Sequence, residues 1–67
     1  MKAIGVNLKF DGWIKRLWFE VPEDEAAMRL FDQTCDQIDS IKAREWREFL
    51  MCVERLFTSN GFFRIAR

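Results

Sequence analysis

Histidine is absent from this 67-residue chain, proline occurs once and glycine three times. The lack of histidine removes the commonest general base and the commonest metal ligand. Two cysteines, Cys35 and Cys52, fall short of the four ligands of a structural zinc site and are too few for a disulfide framework. The glycines stand alone at positions 5, 12 and 61, so the chain has no glycine-rich phosphate loop. No apolar run reaches the roughly 18 residues of a membrane span. The first residues show no signal-peptide core or cleavage site, and a cytoplasmic location is expected. These absences leave no recognisable catalytic, cofactor or metal constellation, and a non-enzymatic protein is expected.

Aromatic bulk is what the chain has instead. Seven Phe and three Trp offer large burial for few rotatable bonds, a way for a short chain to fill a core. A hydrophobic content of 49% with clear periodicity excludes a disordered class and fits one small domain spanning residues 1–67.

Ile4, Val6, Leu8 and Phe10 occupy every second position, which on a strand puts all four on one face. Asp11-Gly12 follows, the strongest short signal for a two-residue hairpin turn. That loop pairs Phe10 with Trp13, Leu8 with Lys15, Val6 with Leu17 and Ile4 with Phe19. With Val21 these pairs form an apolar face interrupted only by Lys15, whose stem can lie along it. The other face pairs Asn7 with Arg16, Lys9 with Ile14, and Gly5 with Trp18, where an indole would cover the backbone that glycine leaves bare.

Pro22 ends the second strand, and Glu23-Asp24-Glu25 place carboxylates in a first helical turn. Ala27, Leu30, Phe31, Thr34, Ile38 and Ile41 fall within an arc of about 100°, a core-facing stripe. Beyond Ser40 the phase shifts to Trp46, Phe49, Leu50, Val53, Leu56 and Phe57. The mismatch predicts a break near Asp39-Ser40, where either side chain could cap a second helix. The rival is one long bent helix, which would favour a dimer. Folding back at Ser40 sets Cys35 opposite residue 45 rather than Cys52, so free thiols are expected.

Asn60-Gly61 is a helix stop. Phe62 to Ala66 then reads as an edge strand, with Phe63 and Ile65 toward the core and Phe62 and Arg64 outward. The resulting order, ββααβ, is an α+β fold with two amphipathic helices on one face of the sheet.

Charge is zero overall but unevenly spread. Residues 20–39 carry seven acids against Arg29 alone, and the remainder is correspondingly basic. Three surfaces emerge. Glu25, Asp32, Asp36 and Asp39 form an acidic helix flank, either simply solvated or steering the chain toward a partner with a basic groove. Lys9, Ile14, Arg16 and Trp18, extended by Phe62 and Arg64 if the last strand pairs beside the first, interleave aromatic and basic groups on the outer sheet face. Such a face suits a protein partner or, as an alternative, nucleic acid. Arg44, Arg47, Met51 and Arg55 lie outside the core stripe of the second helix; a salt-laced helix surface accounts for the arginines, and Met51 suits an adaptable contact.

In size and aromatic richness the chain looks like small proteins encoded by phages and mobile elements, anti-CRISPR proteins among them. No residue correspondence carries that resemblance. It implies a protein that binds and blocks a larger host machine. A module of this kind, acting by protein–protein contact, is the expected function. Zero net charge weighs against nucleic acid, whose affinity rests on phosphate contacts. A self-associating homo-oligomer is the third reading.

Overall fold

Asp11 and Gly12 both adopt positive φ, 51° and 84°, which is the backbone signature of a type I′ turn and matches the right-handed twist of the strands it joins. In the computed structural model, which describes residues 1–65, this turn connects β1 (Lys2–Phe10) and β2 (Trp13–Val21). Their register runs unbroken from Lys2↔Val21 to Phe10↔Trp13, as the alternation requires.

The acidic segment after Pro22 forms the start of α1 (Glu25–Gln37). Asp24 is its N-cap rather than a first-turn residue, and its carboxylate accepts the Ala27 N–H at 2.7 Å. A short 3₁₀ turn, Ile38–Ser40, closes the helix, and a non-helical connection over residues 41–45, bending at Arg44 and Glu45, leads to α2 (Trp46–Ser59). The helices are therefore separate, and the long bent helix is excluded. Neither Asp39 nor Ser40 caps α2: Glu45 holds that place, with no side-chain hydrogen bond to the helix.

At the end of α2 a Schellman arrangement reverses the chain. The Gly61 N–H bonds the Thr58 carbonyl at 3.0 Å and the Phe62 N–H bonds that of Phe57 at 2.9 Å, with Gly61 at φ 89°. This motif brings the residue after glycine back against the last turn, so Phe62 enters the core. It is 2% exposed, edge-on to Phe31 at 5.2 Å, whereas Phe63 is 60% exposed. The expected parity is thus reversed: Phe62 and Arg64 turn to the helix side, Phe63 and Ile65 to the outer face. A one-residue shift exchanges every side chain of a strand between faces.

The last strand, β3 (Phe63–Arg64), pairs antiparallel with β2 through Phe19↔Arg64 and Glu20↔Phe63, giving the order β1-β2-β3. It does not pair beside β1. Ala66, predicted as the end of this strand, lies outside the described residues.

Both helices cover one face of the sheet. Phe19 and Phe57 stack at 4.4 Å, and Phe31 meets both edge-on, which ties β2, α1 and α2 into one aromatic cluster. Phe10 packs on Phe49 and Trp46 nearer the hairpin tip. Trp13, expected on the covered face, is 72% exposed, although its pair partner Phe10 packs on α2. Leu30 is also exposed, while Met28 and Cys35 are half-buried in its stead. The fully buried Thr34 donates to the Leu30 carbonyl at 2.7 Å and accepts from Asn60 Nδ2 at 3.3 Å, a polar tie between the helices. Both cysteines are free.

Candidate functional site

Strand alternation and the two registers place the outer sheet face in rows: Ala3, Glu20 and Phe63; Gly5, Trp18 and Ile65; Asn7 and Arg16; Lys9 and Ile14. Trp18 lies across Gly5. A Cβ at Gly5 would come within 3.2 Å of the indole and 2.9 Å of Arg16 Cδ, so only glycine accommodates this arrangement undisturbed. Arg16 sits over the Trp18 ring at 5.7 Å, and its Nε donates to Asn7 Oδ1 at 2.8 Å. The hydrogen bond and the stacking together restrict a side chain that would otherwise sample many rotamers. Ile14 is 70% exposed, and with Phe63 it brackets the Arg16–Trp18 stack along the face.

Four of the six residues predicted for this surface, Lys9, Ile14, Arg16 and Trp18, share it. Phe62 belongs to the core. Arg64 points to the helix side and pairs with Glu54 of α2 at 2.6 Å. Phe63 was missed; the apolar contact that accompanies a Schellman stop after Asn60-Gly61, here between Phe62 and Phe57, is the signal that would have found it.

The acidic residues occupy the exposed flank of α1, with Asp39 in the 3₁₀ turn. Glu25 is bound to Arg29 at 3.1 Å, a solvent-exposed i,i+4 pair. Burial, with added repulsion from Asp32 and Asp36, pushes the Cys35 thiol above its ordinary range and keeps it protonated. Arg47 and Met51 are exposed on α2, whereas Arg44, expected on the same helix, is exposed in the connection before it; Arg55 borders an open hollow of about 420 Å³ lined also by Gln37, Ile41, Cys52 and Leu56. That hollow lies away from the sheet's outer face, so the arginine surface and the sheet face are two regions.

Among the described residues no three His, Cys, Asp or Glu side chains converge as a metal site requires, and no helix is long and apolar enough to cross a membrane. No family model matches the chain, and no curated protein or solved structure is significantly similar to it.

Proposed function

We propose that this chain is a non-enzymatic protein-binding module, of the kind that inhibits a larger protein or complex by occupying its surface. The observation that carries the reading is the outer sheet face: Ile14 and Phe63 exposed on either side of Arg16 held over Trp18. Trp and Arg are the residue types most enriched among the anchors of protein interfaces. A preformed Arg–Trp stack loses less side-chain freedom on binding than loose side chains would. The helices lie against the opposite face, so a partner can approach the sheet without disturbing the core. The acidic flank of α1 adds long-range attraction toward a basic partner, an effect on encounter rate that fades with salt.

Affinity capture from lysate, with and without nuclease, tests the reading when run beside the variants Ile14→Glu and Phe63→Glu. A stoichiometric partner that survives nuclease and is lost from both variants is the expected result. Capture unchanged in both variants would remove the sheet face from the interface. Recovery abolished by nuclease would transfer the face to nucleic acid.

A further inference from the structure

The edge of the sheet carries a second message. The Trp18 carbonyl accepts the Ile65 N–H at 2.8 Å, so the Trp18 backbone is turned toward β3 and away from β1. Its partner Gly5 is therefore in a non-hydrogen-bonded pair of the hairpin, and its own N–H and C=O point outward. Alternation extends this to Ala3, Asn7 and Lys9. Among the described residues no backbone group outside the hairpin bonds β1, which ends the sheet. The strand is nine residues long, without proline and with an unbroken register. Exposed edges of that length invite another strand.

We infer that this edge docks an extended acidic segment of a protein partner, which adds to the sheet as a fourth strand beside β1. The inference rests on the protein-binding reading and names the chemistry of the one segment that docks at β1; the basic surface that the acidic flank of α1 attracts is a separate part of the same partner. Over the hairpin, Lys2, Lys9, Lys15 and Arg16 stand against Asp11 and Glu20, a net charge of +2 that attracts carboxylates. The same charge repels a second copy, since pairing β1 with itself brings together two basic hairpins, and like charges across strands destabilise. Ala3 is small on the outer face, and Trp18 reaches across Gly5 toward this edge, which sets the indole beside the side chains of a docked segment. In this mode main-chain hydrogen bonds provide affinity and alternate side chains provide selection.

The test is an NMR titration of the whole chain with a capped peptide that alternates glutamate with valine or threonine. The amides of Ala3, Gly5, Asn7 and Lys9 should shift and exchange more slowly, while those of Ile4, Val6 and Leu8, already bonded to β2, gain no protection. N-methylation of alternate peptide residues should weaken binding roughly tenfold or more, since it removes several hydrogen bonds. Replacing the glutamates by lysine should abolish it. No response of the β1 amides, equal binding of the N-methylated or lysine peptide, or tighter binding of an oligonucleotide at the same amides would each overturn the inference. So would protection of those amides in the free chain that grows with its concentration, because a second copy would then occupy the edge. An unresponsive edge, with partner capture still lost in Ile14→Glu and Phe63→Glu, would remove this inference alone. A responsive edge with capture unaffected would remove the outer-face reading instead.

Discussion

Phe62 and Phe63 are adjacent and chemically identical, so replacing each by alanine isolates what the fold does with them. Phe62 is 2% exposed and meets Phe31 edge-on at 5.2 Å, with Phe57 beyond at 6.4 Å. Removing a buried Phe of this kind costs about 3–5 kcal/mol in lost transfer energy and cavity. Phe63 is 60% exposed, and its removal should change stability by no more than about 0.5 kcal/mol. At about 2.1 cal/mol/K per residue the chain unfolds with an entropy of roughly 0.14 kcal/mol/K. Phe62→Ala should then melt at least about 20 °C below the parent, and Phe63→Ala within about 4 °C of it. A domain of this size has about 3–10 kcal/mol to lose, so Phe62→Ala can leave little folded protein at 25 °C. Phe62→Leu, which keeps most of the volume at a cost of about 1.5 kcal/mol or less, gives a measurable intermediate. Circular dichroism melts and urea midpoints compared at equal m-value provide the readout. Comparable losses at the two positions would refute the Schellman-directed parity, and a larger loss at Phe63 would restore the opposite one.

Three further outcomes follow from local geometry. Asp24→Ala should cost about 1 kcal/mol because the Ala27 N–H loses its carboxylate, whereas Asp24→Asn should keep most of the stability; equal melting of the two would show that the cap contributes nothing. Gly5→Ala should destabilise by about 1–3 kcal/mol and shift the Trp18 indole resonance, since Arg16 and the indole must give way to the new methyl; an unmoved resonance would refute the close packing. Cys35 should alkylate more slowly at pH 8 than an unfolded thiol, and Asp32→Asn or Asp36→Asn should accelerate it. Because its folded pKa is raised, the folded state holds this proton more firmly than the unfolded one. The associated stability is complete below the ordinary thiol range and is lost as pH rises through the raised value, so urea midpoints should fall on the alkaline side; a Cys35→Ser variant should lack that component.

The hairpin was legible because two independent signals agree on it. Alternation assigned the faces, Asp11-Gly12 assigned the loop, and together they allow one register, the one observed. The helices followed from their stripes, and the phase change marked a break. The cap of α2 was not legible, because the non-helical residues 41–45 move its start away from the polar pair that resembled a cap. The C-terminal strand misled through its brevity: two residues carry no periodicity, and its phase is set by hydrogen bonds at the end of α2. Trp13 could not be placed from pattern because alternation assigns a residue to a face, not the cover it receives there: Phe10 opposite it packs on α2 and Trp13 does not share that burial. For the candidate face, alternation sufficed on β2 and failed on β3, which is why Ile14, Arg16 and Trp18 stand where expected while Phe62 and Arg64 do not.

The central position of β2 also has a kinetic consequence. Its first neighbour is local, since a hairpin closed by a two-residue turn forms in about 1–10 μs. Its second neighbour pairs Glu20 with Phe63, across the whole helical segment of the chain. Loop-closure entropy opposes that pairing until both helices have condensed on the sheet. Until then β2 is itself an edge, with Phe19 and Val21 not yet buried in the core. A short-lived species with two open sheet edges is the point at which encounters between chains turn into aggregation. Refolding yield should therefore depend on protein concentration more steeply than native solubility does, and two residues of β3 determine how long the exposure lasts.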